Sequence, residues 1–525
     1  MERTAKSFSE CFRIGTEKLR LPLSRTSFIV IASVLFGYFL RILNFVQDKS
    51  LWGDEFFTLA LSRLSYRQAL FAILKDVHAP LYYFTLRFWM DLFGTSPLSL
   101  RAPSLIASLL FIPVFTCFAG VVSDFDRQTL RMAAIFSSIS PYFLQLSNEA
   151  REYSVAVLLG ALALLFFFRY LFEHKPKDAW CFGVFMLLGL YLHHYFWPLF
   201  FLLMVYLWKR TNKWTYVLRL GVPIFLLAAP MICCVIWQMC FSEGSFDAQR
   251  IVPTFVPVSL LKTFLGQILH FGGGYYFSHI SISELAEIVR HDFFGLALLV
   301  VVPLTIVAAF LFVLSPFYKG KREVRDSAIL FLILYVALTV VYPIRAKARY
   351  FADFAPLFYL VVSVGLAFGF QKSWARPWVI LFLLLNLGCS VYTVAIRTDP
   401  IHREDHKAIV AFLSKNLDSG DLIVGSKYPV DFYTAKEKIV LASDHADDEP
   451  DDIKAYLTKK SYNRIFVIFY GDKEPEKNEA YKRSKTEQLE KYGYFPTGQE
   501  IRFGGRLGFH YGFFYKRRSV GVQGV

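Results

Sequence analysis

The chain contains repeated apolar runs that are long enough to cross a membrane. A helix needs about 20 consecutive apolar residues to span the bilayer core, and the clearest of these runs are Phe293–Ser315 and Trp378–Ile396. With 55% hydrophobic and 19% charged residues, the composition also differs from that of soluble globular chains, which have about 45–50% and about 25%. The sequence predicts a polytopic α-helical membrane protein of about eleven spans, at residues 28–46, 102–123, 132–147, 153–172, 179–193, 195–208, 217–241, 293–315, 327–342, 351–370 and 377–396.

Basic residues indicate the orientation of these spans. With the N-terminus inside, the inner segments contain 20 Lys and Arg against 9 acidic residues, and the outer segments contain 13 against 12. Cytoplasmic loops of membrane proteins carry such an excess, so we expect residues 1–27 to be cytoplasmic and the C-terminus to be extracytoplasmic. Residues 179–208 also admit a second interpretation as one long helix, which would invert the sidedness of every later segment.

The net charge of +15 does not indicate a nucleic-acid partner. Nucleic-acid binding places basic residues in a patch on a folded domain, whereas residues 398–525 contain 21 basic and 20 acidic residues. Most of the excess lies in the inner loops, where it sets the orientation. The surroundings that we expect are therefore membrane lipids.

The sequence changes character after a transmembrane domain that we place at residues 28–397. Short apolar runs alternate with helical patterns, which predicts an extracytoplasmic α/β domain at residues 398–525. No Gly-x-Gly-x-x-Gly motif follows a strand, so dinucleotide binding has no support. The expected strands are 421–425, 439–442 and 464–470, and the expected helices are 402–416, 451–460 and 476–492.

Charged residues are scarce inside the predicted spans, and Arg41 is the main exception. A transporter or lipid flippase usually keeps ionisable residues near the bilayer midplane and shows internal repeats, and neither feature is evident. The ionisable and aromatic residues instead crowd the outer ends of the spans and the first outside loop, residues 47–101. This distribution favours chemistry at the outer surface on a substrate that is partly held in lipid.

Two adjacent carboxylates, Asp54 and Glu55, follow the first span within the segment Leu51–Phe57. A partly buried carboxylate can act as a general base, because burial raises its pKa towards the working pH. The alternative is that both residues belong to the start of a helix, where acidic side chains are stabilising.

Further polar groups occur in the outer segments. His78 precedes Pro80, which can begin a helix, and Arg151 lies between Glu149 and Glu152 in a tight link. His78 can contact an anion or a carboxylate, and Arg151 is suited to charge recognition. The alternatives are an interfacial helix at headgroup level and a simple interfacial ion pair.

Three basic residues, Arg345, Lys347 and Arg349, lie on the side that the orientation rule leaves poor in basic residues. A lipid phosphate explains the excess, since Arg binds phosphate oxygens bidentately; headgroup contact alone is the alternative. His193 and His194 could ligate a metal with His78, but no spacing supports a site, so we expect no metal.

Taken together, these motifs resemble the GT-C fold glycosyltransferases. The resemblance is to the dolichyl-phosphate-mannose protein mannosyltransferase branch and its bacterial relatives, which include lipid A aminoarabinose transferases and rhizobial lipopolysaccharide core transferases. It covers residues 35–200 well and rests on the order, spacing and sidedness of the motifs. The motifs are Arg41, Leu51-Trp52-Gly53-Asp54-Glu55, Asp76-x-His78-x-Pro80-Leu81-Tyr82-Tyr83, Ser99–Ser104 and Glu149-Ala150-Arg151-Glu152-Tyr153-Ser154.

The resemblance implies an inverting transferase in the bacterial inner membrane. It would move a sugar from a polyprenyl-phosphate donor to a hydroxyl of a glycan, lipid or protein acceptor at the outer face. Asp54 would be the base, and Glu55 would support it or orient the acceptor. The residues expected to bind the donor phosphate are Arg151, Arg345, Lys347, Arg349, His78 and Arg41, and those expected to position substrate are Tyr82, Tyr83, Glu149 and Tyr153.

Two other functions stay open from the sequence. The span count alone permits a polytopic transporter or lipid flippase. A lipid-linked polysaccharide ligase or polymerase would use Arg and His side chains in place of the Asp54 base.

Overall fold

The computed structural model describes residues 25–241, 266–271, 293–341 and 348–395, and in the C-terminal part 406–416, 420–425, 440–443, 457, 462–470, 475–504 and 509–517. These residues form two compact units. The first unit combines residues 1–47 with 61–395, and the second combines residues 48–60 with 396–525.

The part of the chain before residue 400 is helical. Its helices are α1 (Arg25–Phe45), α2 (Gly53–Arg63), α3 (Tyr66–Leu74), α4 (Leu81–Phe93), α5 (Pro97–Ser123), α6 (Arg127–Ile139), α7 (Pro141–Leu146), α8 (Tyr153–Glu173), α9 (Pro176–Leu192), α10 (Phe196–Thr211), α11 (Trp214–Leu227), α12 (Ala229–Phe241), α13 (Phe293–Leu314), α14 (Arg322–Val341), α15 (Ala355–Gln371) and α16 (Arg376–Ala395). A short helical segment at 266–271 and a 3₁₀ turn at Ala348–Phe351 complete this part.

Within the described residues, five helices are long and apolar enough to cross a membrane by themselves, namely α1, α5, α8, α13 and α16. Helices α11 and α12 pass the same test together and are bent by 59° at a short break. The protein is therefore a multi-pass membrane protein. The prediction of eleven spans is not confirmed at that number, because several predicted spans fall on shorter helices.

Two predicted spans are interrupted for identifiable reasons. The run 132–147 is divided between α6 and α7 at Ser140, whose side chain caps α7 by accepting a hydrogen bond from the Phe143 N–H at 3.5 Å. Pro141 follows, and a proline disfavours helical backbone at the residue before it. The run 179–208 forms two helices, α9 and α10, because His193 is extended, with φ −154° and ψ 129°.

Helix α15 lies in the interior of the first unit and is buried along most of its length. Its Tyr359 hydroxyl donates to the carbonyl of Phe271 at 2.8 Å and lies 2.7 Å from the hydroxyl of Ser140. The segment before α15 packs directly on α8, since a Cβ atom at Gly160 would overlap the carbonyl oxygen of Asp353. This contact brings Asp353 and the preceding 3₁₀ turn against the first two turns of α8.

The second unit contains a five-stranded sheet with strand order β2-β1-β3-β5-β4. Strand β1 pairs in parallel with β2 and β3, and β5 pairs antiparallel with β3 and β4. Helix α17 packs on one face through Ile409 and Leu413. The strands are β1 (Leu422–Gly425), β2 (Val440–Ser443), β3 (Arg464–Tyr470), β4 (Tyr494–Gly504) and β5 (Phe509–Arg517), and the helices are α17 (His406–Asn416) and α18 (Pro475–Glu490).

The first three strands lie within one residue of their predicted positions. The pair β4–β5 is not predicted from the sequence. It contains Gly498, which has φ +79°, and a change of register between Pro496 and Glu500. Such irregularities interrupt the alternation of apolar and polar residues that identifies a strand.

Candidate active site

The link between α7 and α8 is polar and buried. Glu149 is 1% exposed, and Arg151 and Glu152 are each 4% exposed. Charged side chains are almost never buried to this extent unless they are paired. Arg151 does pair with Glu152, at 3.2 Å, so the ion pair considered from the sequence is present, but inside the protein and not at its surface.

Asp76, His78, Arg151 and Glu152 form a continuous hydrogen-bonded chain. Asp76 Oδ2 lies 2.7 Å from His78 Nδ1, and His78 Nε2 lies 3.1 Å from an Nη atom of Arg151. A guanidinium group only donates hydrogen bonds, so His78 Nε2 must be the acceptor. Nδ1 therefore carries the proton and donates to Asp76. His78 is neutral in this arrangement.

The two carboxylates of this hydrogen-bonded series, Asp76 and Glu152, are held in their ionised form. Burial by itself raises the pKa of Asp76, but the hydrogen bond from His78, the backbone N–H of Val77 and the charge of Arg151 together lower it below its ordinary value. Burial likewise raises the pKa of Glu152, and the charge of Arg151 outweighs it, so the net shift is again downward. At neutral pH the carboxylates of Asp76 and Glu152 are therefore negatively charged, and the guanidinium group of Arg151 is positively charged.

The loop that carries His78 is anchored by a residue that the sequence did not single out. Gln238, on α12 and 2% exposed, donates to the carbonyls of Ile73 and His78, both at 2.9 Å. A buried amide that satisfies two loop carbonyls fixes the backbone in place. Its position within an apolar run gave no local signal of this role.

Tyr153, the first residue of α8, lies against a second arginine. The guanidinium carbon of Arg151 is 5.6 Å from the centre of the Tyr153 ring, and that of Arg349 is 5.5 Å from the same centre. The 3₁₀ turn that carries Arg349 is held to α7 by the Tyr142 hydroxyl, which donates to the carbonyl of Ala348 at 3.2 Å. Two of the predicted phosphate ligands are thus brought together although they are far apart in sequence.

His193 lies beside the same tyrosine and near Asp353. The rings of His193 and Tyr153 are 6.0 Å apart, and His193 Nδ1 is 3.9 Å from Asp353 Oδ1. Asp353 is fully buried, and within the part of the chain that the structure describes its carboxylate has no side-chain hydrogen-bond partner. Burial lowers the pKa of His193 and of His194 to about 4, so both imidazoles are neutral at neutral pH.

The sequence does not indicate Asp353 as a site residue, and it suggests no functional role for His193 beyond a metal ligation that no spacing supports. Asp353 lies in the apolar run assigned to a span at 351–370, and a single acid in such a run gives little indication of its partners. Asp353 could have been identified by a general argument. Burying an ionisable residue in a membrane segment costs free energy, and such residues are therefore functional candidates.

Asp54 and Glu55 lie in the first turn of α2, in the second unit. Glu55 is fully buried, and its Oε2 accepts a hydrogen bond from the Trp52 N–H at 3.3 Å. This is the helix-start position considered as the alternative, and it is stabilising for acidic side chains. Asp54 is only half-buried.

The residues expected to position substrate are buried. Tyr82 and Tyr83 are 2% and 1% exposed, and the rings of Tyr83 and His78 are 5.8 Å apart. Glu149 accepts a hydrogen bond from Gln145 at 3.4 Å. Tyr83 and Glu149 therefore belong to the surroundings of the Arg151 cluster.

Arg41 lies inside the helix bundle of the first unit. It is fully buried, and its guanidinium group donates to the Ser108 hydroxyl at 2.8 Å and to the carbonyls of Gly37, Ser138 and Ser137 at 3.0–3.1 Å. These acceptors occupy most of its five N–H groups. Its contacts are those of a residue that joins α1, α5 and α6, whereas Arg345 and Lys347 lie outside the described residues.

Among the residues that the structure describes, no group of three or more His, Cys, Asp or Glu side chains is arranged to hold a metal ion. His78 is hydrogen-bonded to Asp76, and His193 lies near Asp353 with 3.9 Å between Nδ1 and Oδ1.

No protein-family model matches this sequence, and no curated protein is similar to it in sequence. Solved structures are similar in fold. ArnT from Cupriavidus metallidurans bound to undecaprenyl phosphate has a TM-score of 0.50 at 13% identity, over 93% of this chain and 98% of that chain. An oligosaccharyltransferase from Archaeoglobus fulgidus in complex with Zn and sulfate has a TM-score of 0.46 at 14% identity, over 91% and 72%.

The likeness to ArnT extends over nearly the full length of both chains. At 13% identity it concerns the fold and not the identity of individual residues. The chain has the GT-C fold that its motifs predict.

Proposed function

We propose that the protein is a membrane glycosyltransferase that takes a sugar from a polyprenyl-phosphate donor and passes it to an acceptor hydroxyl. The observation that carries this proposal is the pair of guanidinium groups, Arg151 and Arg349, that lie against one tyrosine ring in a buried polar site. The fold supports it, because a solved structure with the same fold contains undecaprenyl phosphate.

The arrangement suits a leaving phosphate. A guanidinium group offers parallel N–H donors that match two phosphate oxygens. Arg151 also lies just before the start of α8, where unpaired backbone N–H groups and the helix dipole favour an anion. Positive charge fixed at this point would stabilise the negative charge that develops as the bond to the sugar breaks.

His78 serves this site as a neutral group. Its Nε2 accepts from Arg151 and its Nδ1 donates to Asp76, so it orients a phosphate ligand and does not supply a charge itself. The sequence predicts contact of His78 with an anion or a carboxylate, and the contact with Asp76 is of the second kind.

In the proposed reaction, the acceptor oxygen attacks the anomeric carbon as the bond from that carbon to the phosphate oxygen breaks. The phosphate leaves with the electron pair, and its charge is met by Arg151 and Arg349. Asp54 takes the proton of the acceptor hydroxyl, with Glu55 in support. Arg345 and Lys347 remain proposed phosphate ligands. Because the arginines supply the positive charge, we propose that no metal or other cofactor is needed and that a chelator leaves the rate unchanged.

The setting that we propose is the bacterial inner membrane, with the N-terminus cytoplasmic and residues 398–525 extracytoplasmic. A reporter fused after Val525 should then be active only on the outer side. A cytoplasmic signal would mean that the number of spans is even.

A second candidate is a lipid-linked polysaccharide ligase or polymerase. The observation that favours it is the pair of histidines beside Arg151 that each face an aspartate, His78 with Asp76 and His193 with Asp353. In that case His193 would replace Asp54 as the base. A comparison of monosaccharide-phosphate with oligosaccharide-diphosphate donors separates the two candidates.

The test of the proposed phosphate site measures lipid binding by the purified protein in detergent. Wild type should bind undecaprenyl phosphate in preference to undecaprenol, and Arg151→Gln and Arg349→Gln should each reduce that preference about tenfold or more. Arg376→Gln is the matched control, because Arg376 is exposed and its guanidinium group also lies over a ring, that of Phe370, at 5.4 Å. Equal binding of the two lipids by wild type would overturn the proposal.

A further inference from the structure

Tyr153 connects the two arginines of the phosphate site. The guanidinium carbons of Arg151 and Arg349 lie 5.6 and 5.5 Å from the centre of its ring. The arginines come from different segments, one from the link before α8 and the other from the 3₁₀ turn before α15. The Tyr153 ring is therefore in contact with both segments.

The face of an aromatic ring attracts cations, and the attraction is stronger where water is excluded. Tyr153 is 2% exposed, and Arg151 is 4% exposed. Arg349 is half-buried, and Glu152 forms an ion pair with Arg151. A ring in contact with both groups favours their placement against it before any anion is present.

The ring itself is fixed in place by its neighbours. His193 lies edge-on to it at 6.0 Å, and Tyr350 is tilted against it at 6.3 Å. Its backbone begins α8, and Gly160 two turns later allows the Asp353 segment to pack on the same helix. Because the ring is buried, we expect its effect on a ligand to pass through the side chains that it contacts.

We propose that Tyr153 is a positioning residue that sets the separation of the Arg151 and Arg349 guanidinium groups for the donor phosphate. The inference rests on the proposed function and specifies how Tyr153, which the resemblance implies positions substrate, would do so through two arginines. The relevant property is the electron-rich face of the ring, and its hydroxyl group is dispensable.

A graded series of ring substitutions tests this role. Tyr153→Phe should keep the affinity for undecaprenyl phosphate within about twofold, since phenylalanine retains the ring face. Successive fluorination of a phenylalanine at position 153 weakens the ring face with little change of shape. It should therefore lower the affinity for undecaprenyl phosphate stepwise, to about tenfold in total. Binding of undecaprenol, which has no phosphate, should stay constant through the series.

Tyr153→Leu removes the ring and should reduce the preference for undecaprenyl phosphate over undecaprenol by about tenfold or more. Tyr170→Leu is the matched control, because Tyr170 lies near the other end of α8 and is 7% exposed. It should leave the preference unchanged. Combined with Arg349→Gln, Tyr153→Leu should cause little further loss, since the two changes remove parts of one interaction.

The outcomes separate this inference from the proposed function. If wild type prefers undecaprenyl phosphate and the arginine variants lose that preference, but the fluorinated series is flat, the role of Tyr153 is overturned and the phosphate site stands. A loss of affinity in Tyr153→Phe as large as in Tyr153→Leu assigns the effect to the hydroxyl and also overturns it. If wild type shows no preference for the phosphate lipid, both proposals fail together.

Discussion

The Nε2 atom of His78 lies 3.1 Å from an Nη atom of Arg151, and because arginine can only donate, the histidine is held neutral as an acceptor. This contact ties the first outside loop to the link before α8. Asp76 lies on the far side of the imidazole, close enough for the positive charge of Arg151 to help lower its pKa.

Replacing the acceptor should release Arg151. His78→Phe keeps an aromatic ring but cannot accept a hydrogen bond, and hydrogen bonds to charged groups contribute about 1.5–3 kcal/mol. We expect the affinity for undecaprenyl phosphate to fall about tenfold, measured by equilibrium binding in detergent. The matched control is His174→Phe, at the other end of α8, where His174 stacks on Tyr216. An unchanged affinity in His78→Phe would show that Arg151 does not depend on this contact.

The burial of His193 and His194 should be visible in the pH dependence of the free energy of unfolding. Burial lowers the pKa of His193 and His194 from 6.5 to about 4, so between these values the unfolded chain binds more protons than the folded one. The contribution of these histidines to stability is therefore fully present above about pH 6.5 and decreases as the pH falls towards 4, by about 1.4 kcal/mol per pH unit for each proton.

Thermal unfolding of the purified protein between pH 8 and 4 measures this effect. The double variant His193→Asn/His194→Asn should show a shallower decrease over the same range than wild type. Below about pH 4 a further decrease is expected in both proteins, because the lowered pKa values of Asp76 and Glu152 contribute stability that is lost on their protonation. Identical curves above pH 4 would contradict the neutral state of the buried histidines.

Gly160 should be sensitive to the addition of a single methyl group. A Cβ atom at this position would overlap the Asp353 carbonyl oxygen, so Gly160→Ala must displace the segment that carries Arg349. We expect a loss of stability of about 1–3 kcal/mol and a reduced preference for the phosphate lipid. Gly183→Ala, in α9, has only ordinary contacts at 3.8 Å or more, so it should be neutral or stabilising by up to about 1 kcal/mol. Equal effects of the two changes would contradict the close packing on α8.

Asp54→Asn should abolish sugar transfer and leave binding of the donor lipid intact. An amide has nearly the same shape as the carboxylate but cannot take the acceptor proton at neutral pH. Turnover measured by release of polyprenyl phosphate should fall about a hundredfold or more. Asp91→Asn is the control, since Asp91 is an exposed carboxylate on α4. Full activity in Asp54→Asn would assign the proton transfer to another group, with His193 as the next candidate.

Much of the helical architecture is predictable from the sequence, because an apolar run of membrane length can form little else than a helix. The breaks within such runs are harder to place. Pro141 gives a local signal for the break at Ser140, and Pro230 gives one for the bend between α11 and α12. Their effect on the direction of the chain depends on packing that a sequence does not contain.

The sequence predicted several residues of the candidate site but not the contacts between them. The sequence indicated Arg151, Arg349, His78 and Tyr153, which the structure brings together. It gave no means of pairing His193 with Asp353 or of placing Gln238 under the His78 loop, since these contacts join segments that are distant in sequence. Arg41 shows the opposite case, because its place in the motif series suggested a ligand and its contacts are with the helix bundle.

The most direct test of the central claim is a transfer assay in vesicles with polyprenyl-phosphate sugars as donors and bacterial envelope glycolipids as acceptors, followed by mass spectrometry. Wild type should form a new glycoside and release polyprenyl phosphate. The double variant Arg151→Gln/Arg349→Gln should lose about a hundredfold or more of this rate, while Arg376→Gln keeps it. Transfer by the double variant at the wild-type rate, or transfer by wild type only from diphosphate-linked donors, would contradict the assignment of Arg151 and Arg349 to the phosphate of a polyprenyl-phosphate sugar.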